Sequence, residues 1–352
     1  MPLAELALEN LRCIHRAELT LAPGSNLIRG ENASGKTSLL EGIYLLGRGR
    51  SFRTRNSERL IRHDQELLRA KGRVEGPPAQ SITVEVRRHQ PTRAQVAGAP
   101  VGSLAALAQT FPVQVIEPGI HRLVEEGSPR RRRWLDWAVF HVEPAFVEIW
   151  QGYMRSVRQR NAALRGPPDV ARAWDSELVR RGEAITASRR RLLEHLKPFW
   201  SETVRALAGV DADLRYTPGW PQQSTLADAL DVSWGRDCTR GITHAGPHRA
   251  DIQIQIEGRA AREVLSRGQQ KLLATAMILS QLKMLRETTG VVPTLLLDDP
   301  AAELDPDRLS RFVTQVKALD CQLVLTSLEP SMEPFGPADR VFHVEHGRVQ
   351  PV

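Results

Sequence analysis

Apolar and polar residues alternate near both ends of the chain, with the period of about two that is typical of β-strands. Residues 4–10 and 17–21 predict two antiparallel strands around a polar turn, and residues 26–29 predict a third strand. Further strands are predicted at 67–74, 81–86 and 96–101, the first two as a β-hairpin. The N-terminal part of the chain is therefore expected to be rich in β-structure.

Apolar residues recur at helical spacing in the middle of the chain. Ser128 and Pro129 predict the start of a helix, with Ser128 as the N-cap and Pro129 in the first turn. Residues 144–165 and 170–207 predict further helices, and Pro198 predicts a kink in the second. Because no heptad repeat persists over about three or four heptads, we do not expect a long coiled coil. This region is expected to be a compact, mainly helical lobe.

The strand pattern returns toward the C-terminus. Residues 252–256 alternate strictly, and residues 294–297 form a fully apolar run that ends in two acids. Strands predicted at 322–326 and 341–344 flank a helix predicted at 306–319. Strands and helices in this order complete an α/β sheet.

Length and composition fit two lobes of a globular protein. The chain has 352 residues, of which 41% are apolar and 25% are charged, as is ordinary for a soluble fold. We assign residues 1–112 and 285–352 to the first lobe, which carries the α/β sheet, and residues 113–284 to the second, mainly helical lobe.

The charge and the cysteines indicate which ligands and which cellular compartment to expect. A net charge of +7 and a pI of about 9.7 predict attraction to polyanions, nucleic acid first. The three cysteines have no zinc-binding spacing and cannot all pair within the chain, which suits a reducing compartment. No apolar run approaches the ~20 residues of a membrane span, and residues 1–10 lack the layout of a signal peptide. We therefore expect a cytoplasmic protein without a membrane anchor.

Between the strand at 26–29 and a predicted helix lies the pattern G-x-x-x-x-G-K-T, which in that context is a phosphate-binding loop. Backbone N–H groups of such a loop surround the β-phosphate, and the helix N-terminus adds its dipole. Lys36 is expected to reach the β- and γ-phosphates, and Thr37 to coordinate Mg²⁺. The residues expected to bind the nucleotide are Gly30, Glu31, Asn32, Ala33, Ser34, Gly35, Lys36, Thr37 and Ser38.

Two acids and a pentapeptide are further candidate residues for binding and hydrolysing a nucleotide. Asp298 directly follows the apolar strand at 294–297 and is expected to hold Mg²⁺ through water, while Asp299 is expected to polarise the attacking water. The pentapeptide L-S-R-G-Q at 265–269 begins a helix, whose N-terminus is a second position suited to an anion. The sequence alone offers no structural explanation for this pentapeptide.

Together these motifs resemble the Walker A, signature, Walker B and D-loop segments of ABC-type ATPases. Within that class the chain closely resembles the RecF family of bacterial recombination-repair proteins, and the resemblance covers nearly the whole chain. It depends on several stretches beyond the phosphate loop, namely residues 37–46, 127–136, 140–141, 143–144, 159–165, 246–251 and 265–272.

The resemblance implies a compact relative of SMC ATPase heads: an α/β P-loop ATPase lobe with a mainly helical second lobe and no long coiled coil. It implies that two subunits enclose ATP and Mg²⁺, with Asp298 and Asp299 at the catalytic site and Arg12 near the phosphates. The segments implied to act at the subunit interface are Ser266, Arg267, Gly268 and Gln269 of the signature, which act in trans, and the D-loop ending at Asp305.

The family also implies partners. Such homodimers bind double-stranded and gapped DNA. With RecR and RecO, they help to load RecA at gaps covered by single-strand binding protein. We therefore expect an ATP-dependent DNA-binding repair protein that is a weak, DNA-stimulated ATPase.

The chain departs from the family pattern in ways that bear on hydrolysis. Ala33 stands where the family has Gly, and Ala302 replaces the usual D-loop Ser. Residues 326–327 are Thr-Ser where transporter ATPases carry a His, and Glu117 stands where a Q-loop Gln is expected. These differences predict slow hydrolysis, with ATP serving as a clamp switch. His244 and His248 are candidates near the γ-phosphate, although ordinary loop histidines are the simpler interpretation.

Two other functions remain open from the residues. The same motifs occur in the ATPase subunit of a transporter, and a non-catalytic adapter locked by ATP would carry them as well. The basic stretches at 48–55, 130–133 and 189–191 fit either DNA phosphates or solvent. DNA-dependent turnover would separate the repair ATPase from both alternatives.

Overall fold

The computed structural model describes residues 1–102, 105–166, 168–301, 304–328 and 333–352. The chain divides into two compact units, Met1–Ile120 with Leu285–Val352, and His121–Met284. The sequence analysis ended the first segment at residue 112, but the strand Val113–Ile116 pairs in parallel with Thr294–Leu297. Because that pairing places it in the sheet of the first unit, the first segment extends to Ile120.

The first unit begins with an antiparallel sheet and the helix that follows the phosphate loop. Its first elements are β1 (Leu3–Leu11), β2 (Ile14–Thr20), β3 (Ser25–Arg29), α1 (Lys36–Arg48), β4 (Leu67–Val74), β5 (Gln80–Arg87), β6 (Arg93–Val96), β7 (Ala99–Pro100), α2 (Ala105–Thr110) and β8 (Val113–Ile116). Six strands pair in the order β2-β1-β4-β5-β6-β7. The single strand predicted at 96–101 is wrong, because Ala97 and Gly98, with φ of 50° and 78°, form a tight turn there.

The middle of the chain is mainly helical, as predicted. Its elements are α3 (Arg122–Glu125), α4 (Ser128–Val142), α5 (Phe146–Ala163), α6 (Pro168–Arg172), α7 (Asp175–Ala208), β9 (Asp213–Thr217), α8 (Leu226–Arg240), β10 (Asp251–Ile256), β11 (Arg259–Ala260), α9 (Ala261–Val264) and α10 (Arg267–Thr289). The strands form a small sheet in the order β11-β10-β9. In the described ranges no helix is both long and apolar enough to cross a membrane.

The start of α4 differs in detail from the prediction. Gly127 occupies the N-cap position, and Ser128 is already the first helical residue. The Ser128 hydroxyl therefore does not cap the helix and instead accepts a hydrogen bond of 2.6 Å from Arg132 Nη1. Pro129 lies in the first turn as expected, where its missing N–H has no intrahelical partner to lose.

The last part of the chain completes a mainly parallel sheet in the first unit. Its elements are β12 (Thr294–Leu297), α11 (Pro306–Lys317), β13 (Gln322–Ser327), β14 (Arg340–Glu345) and β15 (Arg348–Pro351). The strand order is β15-β14-β3-β13-β12-β8, and only the β14-β15 pair is antiparallel. Since β3, β12 and β13 are parallel, the residues after each strand meet at one edge, which is where open α/β sheets bind ligands.

Helix α1 packs between the two six-stranded sheets of the first unit. One buried cluster contains its residues Leu39, Ile43 and Leu46 together with residues of β1, β4 and β5 on one side and of β3, β12 and β13 on the other. Most positions of α1 are buried, including the polar residues Lys36, Ser38 and Glu41. Burial on all sides fixes the helix, and with it the phosphate loop at its N-terminus.

Candidate nucleotide-binding site

Residues 30–37 link β3 to α1 in a strained, closely packed loop. Ala33, Gly30 and Gly35 all have positive φ, of 62°, 156° and 120°. A Cβ atom on Gly30 would lie 2.3 Å from the Val344 carbonyl oxygen, so that position requires glycine. The β14–β15 turn contacts the loop, because the Gly347 N–H donates to the Ser34 carbonyl at 2.9 Å.

The side chains of this loop fit a polyphosphate. Lys36 is only 8% exposed, and its Nζ donates to the carbonyl oxygens of Gly30 and Glu31 at 2.7 and 2.8 Å. Burial lowers the pKa of the Lys36 ammonium, while the charges of Asp299 and Asp298 act in the opposite direction. The buried Ser34 hydroxyl has no hydrogen-bond partner among the described residues. A phosphate oxygen would supply the acceptor that this hydroxyl lacks.

Asp298 and Thr37 meet at the edge of the parallel sheet. The Thr37 hydroxyl donates to the two carboxylate oxygens of Asp298 at 2.9 and 3.1 Å, and the Thr326 hydroxyl donates to Oδ1 at 2.9 Å. Burial raises the pKa of the Asp298 carboxyl, although hydrogen bonding from Thr326 and Thr37 and the charge of Arg53 oppose the rise. The structure therefore brings the predicted Mg²⁺ residues into direct contact.

Thr37 and Asp298 suit Mg²⁺ only if a nucleotide supplies further oxygen ligands. No group of three or more His, Cys, Asp and Glu side chains in the described ranges could hold a metal ion. Mg²⁺ is commonly bound by one or two carboxylates together with substrate phosphates. A hydroxyl and a carboxylate beside a phosphate loop, as formed by Thr37 and Asp298, match that mode of binding.

Thr326 is a site residue that the sequence analysis missed, since it noted this position only for lacking a His. Besides its bond to Asp298, its hydroxyl accepts a hydrogen bond of 2.9 Å from the Asp299 N–H. Asp299 has φ of 49°, a left-handed conformation that is unfavourable for a non-glycine residue. The parallel register Leu297↔Leu325 places Thr326 beside Asp298. A polar residue at the end of a buried neighbouring strand was the available signal.

Arg12 contacts α1 through a carboxylate. Its guanidinium donates through Nε and Nη2 to Glu41, with the Nη2–Oε1 distance at 2.9 Å. The Glu41 side chain is fully buried, and that of Arg12 is 26% exposed. The structure thus assigns Arg12 a protein partner, and the contact with phosphates implied by the family stays a prediction.

The signature pentapeptide has a structural explanation that the sequence analysis lacked. Ser266 Oγ accepts a hydrogen bond of 3.4 Å from the Gln269 N–H, and Gln269 Oε1 accepts one of 3.0 Å from the Ser266 N–H. This reciprocal pair is a capping box at the start of α10. Arg267 donates through Nε and Nη2 to His121 Nε2 at 3.2 and 3.1 Å. Ser266, Arg267 and Gly268 are exposed on the second unit.

The D-loop is only partly described. Asp305 is the N-cap of α11, where its Oδ1 accepts a hydrogen bond of 2.9 Å from the Arg308 N–H. Ala302 and Glu303 lie outside the described residues. The structure therefore shows a helix-capping role for Asp305, and its place at a subunit interface stays a prediction.

Several arginines of the basic stretches form ion pairs within the protein. Arg131 pairs with Asp251 and Arg189 with Asp136, both at 2.8 Å, and both guanidinium groups are buried. Arg191 pairs with Glu143 at 2.9 Å on the surface. These contacts show that a run of arginines in this chain is not in itself a phosphate-binding surface.

The two candidate histidines serve the interior of the second unit. His244 Nδ1 lies 2.7 Å from Asp237 Oδ1, and His248 Nδ1 lies 2.7 Å from the Tyr153 hydroxyl. Burial lowers the pKa of His248 to about 4, so its ring is neutral at physiological pH. The simpler interpretation of these histidines, as loop residues, accounts for their contacts.

Replacing Ala33 with Val should lower the free energy of unfolding by about 1 kcal/mol, because the left-handed conformation that Ala33 already adopts is still less favourable for a β-branched residue. Replacing it with Gly should change stability by less than about 1 kcal/mol, since relief of strain offsets the freer unfolded chain. Urea denaturation of both variants checks this. Equal stability of the Val and Gly variants would show that the loop does not hold residue 33 at φ of 62°.

Comparison with known proteins shows similarity over nearly the whole chain. The family model described as RecF/RecN/SMC N terminal domain matches residues 2–350. The DNA replication and repair protein RecF of Shewanella oneidensis is 37% identical, over 99% of each chain. The protein of the same name from Pseudomonas paraeruginosa is 37% identical, over 99% of this chain and 97% of its own.

Solved structures give the same result. The recombination mediator protein RecF-ATP in the RecFOR pathway is 28% identical with a TM-score of 0.90, over 99% of this chain and 97% of that one. The RecF-ATPrS structure has a TM-score of 0.87 and the same identity, over 100% and 98%. An Smc head bound to the C-winged helix domain of ScpA, 15% identical with a TM-score of 0.59, over 100% and 97%, shares the fold.

Proposed function

Because this chain belongs to the RecF family, we propose that it is an ATP-dependent DNA-binding protein of recombinational DNA repair. The observation that carries the proposal is the hydrogen-bonded series Thr37–Asp298–Thr326–Asp299 beside the buried ammonium of Lys36. This series joins a phosphate loop to two acids at one sheet edge, which is the arrangement that phosphoryl transfer needs. Relatives of this chain are named for DNA replication and repair, and a solved relative is described with ATP.

In this proposal each group has a separate task. Lys36 exchanges its loop carbonyls for the β- and γ-phosphates, and Thr37 with Asp298 holds the Mg²⁺ that accompanies ATP. When bound, Mg²⁺ supplies neutralisation of charge on the phosphate oxygens. Asp299 orients and polarises the attacking water, and Thr326 fixes Asp299 through its backbone N–H. We expect slow hydrolysis because β13 ends in Thr326 and Ser327, where transporter ATPases carry a His.

The DNA-binding form is proposed to be an ATP-dependent homodimer. Ser266 and Gly268, with Arg267 and Gln269, would close the nucleotide site of the second copy. Ser266, Arg267 and Gly268 are exposed and therefore accessible for this. The RecFOR pathway given for a solved relative supports RecR and RecO as partners. In this proposal the three proteins together load RecA at gapped DNA. The net charge of +7 adds a general attraction to DNA.

Binding of a labelled gapped duplex tests the proposal. Fluorescence anisotropy at one near-physiological salt concentration should show binding at least about tenfold tighter with a non-hydrolysable ATP analogue than with ADP or no nucleotide. The salt must be constant because counterion release alone shifts affinity by orders of magnitude. Equal binding under the three conditions would show that charge alone explains the affinity and would overturn the ATP-gated function. ATP-dependent binding without DNA-stimulated turnover would favour the non-catalytic adapter.

A further inference from the structure

A fully buried carboxylate lies on α1, one helical turn beyond Thr37. Glu41 is 0% exposed, whereas most of the other buried residues of α1 are apolar. Burying a charge is costly unless partners satisfy it, and a well-packed apolar side chain is often as stable as a buried ion pair. The contacts of Glu41 therefore require an explanation beyond stability of the core.

Glu41 connects α1 to the turn between β1 and β2. Arg12 in that turn donates both Nε and Nη2 to the carboxylate, which is the bidentate geometry of strong charge-assisted hydrogen bonds. The Arg12 N–H donates to the Leu60 carbonyl at 2.8 Å, so the backbone of the turn is held as well. The Arg12 guanidinium thus has a defined position beside the phosphate-loop helix.

The same carboxylate orders the segment after α1. The Ser51 hydroxyl donates to Glu41 Oε1 at 2.5 Å and accepts hydrogen bonds from the N–H groups of Arg53 and Thr54 at 2.9 and 3.1 Å. Arg53 Nη1 also lies 3.7 Å from Glu41 Oε2. Glu41 therefore acts on Arg53 twice, through Ser51 and through its own charge.

Arg53 lies next to the helix that carries Thr37. The Glu41 carboxylate that Arg53 approaches is one helical turn beyond Thr37, whose hydroxyl donates to Asp298. The Arg53 side chain is 50% exposed, so it is accessible to a ligand. One carboxylate thus holds two guanidinium groups, Arg12 and Arg53, and neutralises only one of their charges. The charge that remains suits a polyphosphate.

We propose that Glu41 is a positioning residue that holds Arg12 and Arg53 toward the terminal phosphates of a bound nucleoside triphosphate. The inference rests on the function proposed above. Glu41 does not contact the nucleotide; it fixes the two arginines, which belong to different segments of the chain. Through Ser51 it also connects the phosphate-loop helix to the basic stretch at 48–55.

Substitution of Glu41 with Gln tests this role. The variant should lower the single-turnover rate of ATP hydrolysis by about tenfold or more, because small misplacements of charged groups are costly in phosphoryl transfer. Its affinity for a fluorescent ADP should change by less than about threefold, since ADP lacks the terminal phosphate. Adding Glu41→Gln to a variant that already carries Arg12→Gln and Arg53→Gln should not slow hydrolysis further, because the two arginines that Glu41 positions are then absent.

The control variants separate positioning from folding. Asp136→Asn removes a carboxylate beside a buried arginine in the second unit and should leave hydrolysis per folded molecule unchanged. Ser51→Ala spares the Arg12–Glu41 pair and should slow hydrolysis in the same direction, so the test remains if the Gln variant unfolds. Glu41→Asp should recover part of the rate.

Several outcomes would overturn the inference. Wild-type hydrolysis in Glu41→Gln and Ser51→Ala would do so, as would further slowing when Glu41→Gln is added to the variant that carries both Arg12→Gln and Arg53→Gln. Equal loss of ATP and ADP affinity in proportion to lost thermal stability would show a purely structural carboxylate. Failure of the wild-type protein to bind ATP would instead refute the proposed function itself.

Discussion

Replacing Lys36 with Met is expected to lower the affinity for ATP by about 100-fold or more. Lys36 is the buried cation of the phosphate loop, and its ammonium already donates to two loop carbonyls. A hydrogen bond to a charged group contributes about 1.5–3 kcal/mol, and about 1.4 kcal/mol corresponds to a factor of ten. Loss of bonds to two phosphates therefore accounts for the expected change.

Isothermal titration calorimetry with Mg·ATP would measure this effect. Met is unbranched like Lys and only one heavy atom shorter, so the variant removes the charge while retaining most of the packing. Lys71→Met is a matched control, because Lys71 is an exposed lysine on β4. The control should bind ATP as the wild type does. Unaltered affinity in Lys36→Met, with the control unchanged, would remove the nucleotide assignment of the loop.

The sequence predicted the strands and helices well where a pattern is local. The period-two runs became β4 and β5, and the apolar run at 294–297 became β12. The errors depend on contacts that a local pattern does not contain. The strand expected at 96–101 is interrupted by two residues with positive φ, and β8 belongs to the first unit because it pairs with β12 and packs in the same core.

The candidate site also contains residues that the sequence predicts and residues that it does not. The phosphate loop and Asp298 could be predicted together, because a motif marks each and parallel strands share a carboxyl edge. Thr326 and Glu41 could not be predicted, since their roles arise from a strand register and from a buried hydrogen-bond cluster. Neither residue lies in a motif whose spacing shows its partners.

The signature segment is a motif with two explanations, one for ligand binding and one for helix structure. Ser266 and Gly268 at the N-terminus of a helix suit anion binding, but Ser266 also builds the capping box of α10 with Gln269. The motif therefore has a structural explanation that is independent of a second subunit. A test of the trans role must separate loss of the helix cap from loss of the interface.

Replacing Ser266 with Arg is expected to spare ATP binding by the monomer and to block ATP-dependent dimerisation. Ser266 is exposed, so an arginine can be accommodated in the monomer at the cost of the cap, about 1 kcal/mol. In the proposed dimer the hydroxyl faces the γ-phosphate of the other copy, where the longer side chain would prevent close approach. Sedimentation velocity with a non-hydrolysable ATP analogue would measure the monomer and dimer populations.

Two further variants separate loss of the helix cap from obstruction of the dimer interface. Ser266→Ala removes the cap hydroxyl without adding bulk and should weaken dimerisation without abolishing it. Ser201→Arg adds the same bulk and charge at an exposed position of α7 and should dimerise normally. If Ser266→Arg forms dimers as readily as Ser201→Arg, the signature does not act across an interface. Nucleotide control of DNA binding would then have to reside within one subunit, where the cluster of Glu41, Arg12 and Arg53 is the structure's candidate.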